Sequence, residues 1–527
     1  MSGSEDAHTA VAPEPFALRN RPRRIRASRT VLIVIAIGCA VVLGIALGVL
    51  WFTVAPGAPL RWHDLAHSVL SVRVIDGPLT ITVYALSILC LGALCVRRWR
   101  WRSLTATLSV VALAATLTAG VLWYVNENNV FGVALDAVTW RWSIVALTAT
   151  GLALSGVFWG RWWRRLIAGT SVIVFCVAGG IGINADFGLD KTIADLAGVS
   201  LAKPIHLPRP VVTASPQVVG FSGPLWASWT PPKDMPKVGQ TGAVTIPATV
   251  SGFRSRPAGI YLPPAALVAH APRLPLVVML MGQPGNPDPS YIATVLNQFA
   301  AQHNGLAPIV IVADQLGNPA VDTLCLDTPQ YGNVQTFLSV DVVNWARANL
   351  HILQDPTHWV IAGYSNGGEC ALSLGARYPS IWGNVLDISG EAYPGSDKPA
   401  QTLADIFHNN KAAYHAVFPE TILAQHHYSN TDAVFTVGSD DDFYRAQAHT
   451  AMAAAAAAGW VSTYYEVPNG GHVLKALMGG LKEGFSVLYP RLELSPPVST
   501  SSLSTSGFVG LGWNERFVHE RRVNAGG

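Results

Sequence analysis

Charge is what this sequence has least of. Only 13% of its 527 residues are Asp, Glu, Lys or Arg, while half are hydrophobic; a soluble globular chain carries about a quarter charged residues. The shortage excludes a protein that is water-soluble throughout and predicts a membrane portion in which the apolar residues are concentrated. Cysteine is scarce as well, with six in the chain. Cys39, Cys90, Cys95 and Cys176 fall in long apolar runs, where a thiol behaves as a small apolar group. Cys325 and Cys370 remain. An even pair in an oxidising compartment suggests one disulfide, two buried free thiols being the alternative. There is no internal repeat. A surface for gripping phosphates is missing too: from Asn184 to Pro490 there are 15 Lys and Arg against 22 Asp and Glu, a net −7. That balance argues against nucleic acid as a partner.

Long apolar runs are what the first third has in quantity. Five of them, over 31–54, 79–96, 104–125, 142–159 and 166–183, contain no acidic or basic residue. Crossing a bilayer takes about 20 apolar residues as helix. One such run fits a buried core helix; five in succession predict an all-α transmembrane region over 31–183. The first follows some thirty polar residues, is too long for the core of a signal peptide and lacks a clear small-residue cleavage site, so it reads as a retained anchor. Residues 1–30 read as a disordered basic cytoplasmic arm. The basic residues set the orientation. Arg19, Arg21, Arg23, Arg24, Arg26 and Arg29 precede the first run, Arg97, Arg98, Arg100 and Arg102 separate the second from the third, and Arg161, Arg164 and Arg165 separate the fourth from the fifth. These loops are expected on the cytoplasmic side of the plasma membrane, with everything after the fifth span outside.

After residue 183 the pattern changes. Residues 184–252 are rich in Pro, Gly, Ser and Thr and read as a linker with leading strands. Over 253–490, short apolar runs at 276–281, 308–313, 359–364, 385–389, 433–437 and 463–467 alternate with helical stretches such as 336–349, 368–377 and 444–458. Continuous apolar strands separated by helices imply a doubly wound, mostly parallel sheet buried on both faces, an α/β domain. Such a sheet places its site at the carboxyl ends of the strands. Residues 491–527 read as a flexible tail.

The residues after the strands carry the chemistry. Trp359-Val360-Ile361-Ala362 leads into Gly363-Tyr364-Ser365-Asn366-Gly367-Gly368, a G-x-S-x-G turn between an apolar strand and an Ala- and Leu-rich helix. The sharp turn lifts a serine hydroxyl clear of the sheet, and only small neighbours let the backbone pass so close. A serine needs a positioned base to be a nucleophile. His472, in Asn469-Gly470-Gly471-His472 after the last strand, is the candidate base. The acid is expected after the preceding strand, where Asp440, Asp441 and Asp442 stand side by side and spacing does not choose among them. A tetrahedral oxyanion needs two backbone donors. Asn366 N–H supplies one. In Gly282-Gln283-Pro284-Gly285 proline has no N–H, which leaves Gln283 N–H as the other. No cofactor or metal is expected. His63-Asp64-x-x-His67 reads as an interfacial segment, and His426-His427 lacks further ligands at suitable spacing. Residues 401–428 lie where such a fold inserts a cap.

These pieces, with Asp322-Thr323-Leu324-Cys325-Leu326-Asp327, resemble the esterase branch of the α/β-hydrolases that includes esterase D, feruloyl esterases and the secreted mycolyltransferases. The resemblance runs from about residue 259 to 489. Gly438-x-x-Asp441-x-Phe443 is similar to the family's acid loop, which favours Asp441, and Gly470-Gly471-His472 to its histidine loop. The spans followed by this domain also look like membrane-bound members found beside aminoacyl-phosphatidylglycerol synthases. The resemblance implies a serine esterase acting through an acyl-enzyme on a lipid or cell-envelope ester, with aminoacyl-phosphatidylglycerol as a candidate. The mycolyltransferases use Glu as the acid and lack five spans, and acyl transfer stands as the alternative activity. A membrane scaffold carrying a degenerate, non-catalytic hydrolase domain is the alternative from another class.

Overall fold

The structure, a computed structural model, describes residues 67–497 apart from 97–100, 129, 131–134, 160–161, 189, 200, 206 and 208–222. The basic arm over 1–30, the first apolar run over 31–54, the His63-Asp64 segment and most of the trailing residues lie outside the described residues.

Four helices open the described chain: α1 (Pro78–Cys95), α2 (Trp101–Glu127), α3 (Ala137–Trp159) and α4 (Trp162–Phe187). All four are long and apolar enough to cross a membrane. They coincide with the second to fifth apolar runs. Small residues let them approach: a Cβ on Gly179 would lie 2.6 Å from Ala146 Cβ, and one on Gly151 2.8 Å from Ala114 Cβ. Helices that meet through Gly and Ala bring their backbones together, as helix pairs in lipid do. Leu86, Val174 and Phe175 pack inside with them. Many other large side chains point outward, and Ile81, Ile88, Leu166 and Trp101 are among the most exposed large hydrophobic residues of the described chain.

The rest of the chain is built on one eight-stranded sheet. Its strands are β1 (Gln240–Val244), β2 (Ala258–Leu262), β3 (Leu276–Leu280), β4 (Ile309–Ala313), β5 (Trp359–Tyr364), β6 (Asn384–Ile388), β7 (Asp432–Gly438) and β8 (Val461–Val467). The spatial order is β1-β2-β4-β3-β5-β6-β7-β8. β2 pairs antiparallel with β1 and β4, and every other pairing is parallel. The inner strands β3 and β4 are Val-, Ile- and Leu-rich and completely buried, the pattern of a sheet covered on both faces. Two adjacent residues show the covering. Val385 meets Gly375 of α6 (Asn366–Arg377), while Leu386 meets Gly484 of α8 (Leu474–Arg491). Successive side chains of a strand point to opposite faces, so these helices lie on either side. α5 (Ser290–Gln302) follows β3, and α7 (Asp442–Ala457) connects β7 to β8.

Register brings the chemistry to one rim. Leu280 pairs with Gly363, Tyr364 with Ile388, Ile388 with Thr436 and Gly438 with Val467. The loops after β3, β5, β7 and β8 therefore leave the sheet together. Packing extends past residue 490: Leu492 and Leu494, which fall in the segment expected to trail off, are fully buried in the core, and Trp226 N–H donates to the Glu493 carbonyl.

Candidate active site

The turn after β5 is where the backbone is most constrained. Ser365 sits at φ 57° and ψ −122°, a left-handed conformation that is strained for a residue with a Cβ. It caps α6. A Cβ on Gly363 would overlap the Gly367 carbonyl, and one on Gly367 would overlap the Leu280 carbonyl. The two glycines of the motif are thus fixed by close approach of the backbone. Ser365 Oγ is raised over the carboxyl rim as a result, where the β7 and β8 loops converge.

His472 Nε2 lies 2.8 Å from Ser365 Oγ, and His472 Nδ1 lies 2.8 Å from Asp441 Oδ2. An ionised carboxylate only accepts hydrogen bonds, so Nδ1 carries the proton and Nε2 is free to accept the serine's. The three neighbouring aspartates separate cleanly in space. Asp441 is buried and its Oδ1 also accepts from Tyr444 N–H, capping α7. Asp440 accepts from Ser439 Oγ. Asp442 is 93% exposed and pairs with Arg445 at 2.8 Å. His472 is held between two aromatic rings, Tyr444 at 3.9 Å between centroids and Tyr364 at 5.3 Å. The Tyr444 hydroxyl reaches Ser365, and burial holds that phenol well above its ordinary range.

The β3 loop approaches the serine from the other side. A Cβ on Gly282 would stand 3.3 Å from Ser365 Cβ, which puts Gln283 next to Ser365. Asn366 is the first residue of α6, so its N–H has no partner within the helix. The Gln315 side-chain amide donates to the Met281 carbonyl, and Asn366 Nδ2 donates to Asp322 Oδ1 at 2.8 Å. Cys325 and Cys370 form a disulfide with Cα atoms 5.5 Å apart. It joins the loop that carries Asp322 to the helix that follows the serine.

Carboxyl groups gather behind the rim. Burial raises Glu391 to about 8, with help from the Asp322 and Asp397 charges. Burial also raises Asp387 to about 7 and lifts Asp322 and, further, Glu369. Glu391 accepts from both Ser396 N–H and Ser396 Oγ. The segment after β6 forms three short helices, Pro399–Asp405, Lys411–His415 and Pro419–Ala424. A cavity of about 370 Å³ opens between the last of these and α7, lined by Tyr393, Phe418, Leu423, Phe443, Gln447 and Ala451 among others.

Ser365, His472, Asp441, Asn366 and Gln283 come together at this rim, with the Cys325–Cys370 disulfide beside it, while Asp440 and Asp442 are engaged by Ser439 and Arg445 instead. Tyr444, Gln315 and Glu391 join them without having been anticipated. For Tyr444 a signal existed, an aromatic three positions after the acid on a helix that the acid caps; for the other two, nothing local marks them.

The sheet order, the strained serine turn and the converging loops define an α/β-hydrolase. The family model described as "Putative esterase" matches residues 253–475. An uncharacterized protein of Corynebacterium glutamicum is 31% identical over 379 residues, covering 69% of this chain and 83% of that one. This chain belongs to that esterase family, and it is a hydrolase. Solved structures similar to it include a ferulic acid esterase, 18% identical, covering 48% of this chain and 98% of that one with a TM-score of 0.40. An S-formylglutathione hydrolase from Agrobacterium tumefaciens is 15% identical, covering 49% of this chain and 98% of that one with a TM-score of 0.41.

Proposed function

We propose that this chain is a membrane-anchored extracytoplasmic serine esterase that cleaves an ester of a lipid or cell-envelope substrate through an acyl-enzyme. The observation that carries the reading is the relay of Ser365, His472 and Asp441, two contacts of 2.8 Å between residues 107 and 31 positions apart in the chain. In this reading Ser365 Oγ attacks the ester carbonyl as its proton passes to His472 Nε2. Asp441 holds the ring's orientation and stabilises the imidazolium. Gln283 and Asn366 N–H groups receive the oxyanion. Collapse of the tetrahedral intermediate breaks the C–O bond, and His472 returns the proton to the leaving alcohol. Water then attacks the acyl-Ser365 ester with His472 again as base, which releases the acid and restores the serine.

Anchoring is supported by the four apolar helices and the outside position of the hydrolase by the distribution of arginines over the loops. Aminoacyl-phosphatidylglycerol is the substrate we favour. The preference follows from the long apolar helices ahead of this hydrolase domain, an order that looks like membrane-bound members found beside aminoacyl-phosphatidylglycerol synthases. Two experiments test the proposal. A fluorophosphonate probe should label the full-length protein in membranes, with labelling lost in Ser365→Ala; a folded wild type that resists labelling would leave the scaffold reading in its place. Lipid profiles of cells with and without an active Ser365 should differ in the aminoacyl-lipid pool, and an unchanged pool would remove that substrate.

A further inference from the structure

The outer ends of the membrane helices touch the very loops that carry the catalytic groups. After α4, Gly188 offers its carbonyl to Tyr291 Oη at 3.1 Å. Three residues on, Lys191 Nζ donates to Ser290 Oγ at 2.6 Å, lies 3.6 Å from Asp288 Oδ2 and sits 3.5 Å above the Tyr291 ring. Asn286 Nδ2 reaches the Asp195 carbonyl at 3.3 Å. All of these partners belong to residues 286–291, the stretch that joins Gln283 to α5. On the other side the same loop is held by Arg256, which donates to Asn286 Oδ1 at 2.7 Å and to the Gly285 carbonyl at 2.9 Å while paired with Asp314. Lys191, four residues after α4, is itself fixed to the segment that leads into α1, because its carbonyl accepts from Val74 N–H and Ile193 N–H donates to the Val72 carbonyl. The histidine loop comes near the bundle too: a Cβ on Gly471 would stand 3.9 Å from Asp136 Cβ, just before α3, and Leu474 packs against Gly188.

We propose that Lys191 is a positioning residue, through which the membrane bundle holds the loop of the oxyanion donor Gln283 in register with Ser365. The proposal rests on the esterase reading above. A partly exposed ion pair adds little to stability, and Lys191 is not asked to add much. Its ammonium meets a hydroxyl, a carboxylate and an aromatic face at once, and what it fixes is the distance from the bundle to a loop whose placement matters to within about an ångström. The bundle then acts on the site through this loop.

The test uses the full-length chain in phosphatidylglycerol vesicles. Lys191→Met should speed amide hydrogen exchange over residues 282–291 and leave β5 and β6 unchanged. It should lower kcat for p-nitrophenyl acetate about tenfold with KM within about twofold. Lys191→Arg should restore both, and Ser290→Ala, which removes the partner instead, should quicken the same amides. The proposal is overturned if exchange and kcat both stay at wild-type values, if exchange rises throughout the sheet, or if KM alone rises, which would make Lys191 a substrate contact. Absence of turnover and probe labelling in the wild type would instead sink the esterase reading, and the exchange comparison would still decide whether Lys191 holds the loop.

Discussion

The helical bundle and the hydrolase divide the same apolar residue types differently between inside and outside. In the hydrolase the largest side chains are the most buried, with Trp359, Trp382, Tyr261 and Phe435 in the centre. In the bundle many large side chains, such as Ile88 and Trp101, face outward, and Gly, Ala, Ser and Thr share the inside with Leu86, Val174 and Phe175, as where Thr107 Oγ1 donates to Ser155 Oγ. Water drives the first arrangement, because burying apolar area removes it from solvent. The second needs a surrounding as apolar as the side chains themselves, where contact between helices is won by close packing. One composition, read without position, hides two solvents.

The comparison breaks most sharply at the site. Ser365→Ala should lower turnover by roughly 10⁶, read as kcat for a soluble ester, whereas Ser155→Ala in the bundle should leave kcat unchanged. Asp441→Asn should cost about 10⁴ in kcat. Asp440→Asn and Asp442→Asn should cost less than about tenfold, since neither touches His472. If Asp442→Asn matched Asp441→Asn, the assignment of the acid would be wrong.

Stability sharpens the contrast further. Breaking the Cys325–Cys370 bond, which spans 45 residues, with Cys325→Ala and Cys370→Ala should destabilise the hydrolase by about 3–4 kcal/mol, measured by denaturant unfolding. Loss of the thiol Cys90 in the bundle should shift nothing comparable. Ile88→Arg, at an exposed mid-helix position of α1, should cost about 2.5–3.5 kcal/mol in apparent membrane insertion. Val238→Arg on the hydrolase is at a position that is exposed as well and should stay within about 0.5 kcal/mol. Equal effects at both positions would remove the bilayer from the account of the bundle.

The gentlest test is titration. Glu391 is raised from 4.5 to about 8 in the fold, so between those values the unfolded chain binds fewer protons than the native one. Stability should therefore fall as pH rises through that window, by at most about 1.4 kcal/mol per pH unit from this group. Glu391→Gln keeps an oxygen for the two Ser396 donors and removes the ionisation. It should melt higher than wild type at pH 8, with the gap closing as pH falls to about 4.5. A gap that widens on acidification would reverse the sign and the cause.

How much of this could be read beforehand follows from how local each signal is. Ser365 is legible because strand, glycine turn and helix are contiguous, and His472 because it follows the last strand; strand order leaves Asp440, Asp441 and Asp442 open, and only the resemblance of Gly438-x-x-Asp441-x-Phe443 to the family's acid loop favours Asp441. The four apolar helices are legible from length alone. Lys191 is not, since its meaning depends on Ser290, 99 residues away. Gln315 and Glu391 are silent for the same reason: a buried polar side chain is recognised by its partners, and those come from tertiary contact. The burial of Leu492 and Leu494 is not legible either, because two leucines followed by Ser- and Pro-rich sequence carry too little periodicity to register as packed.

The Cys325–Cys370 link has one more use, as a record of geography. A chain made in a reducing cytosol holds two thiols at these positions until it meets an oxidant, so alkylation before and after reduction reads out which side of the bilayer the fold has reached. A blocked pair in rapidly acid-quenched cells places the site outside without reference to any arginine. Two freely alkylated thiols would place it inside and turn the whole molecule over.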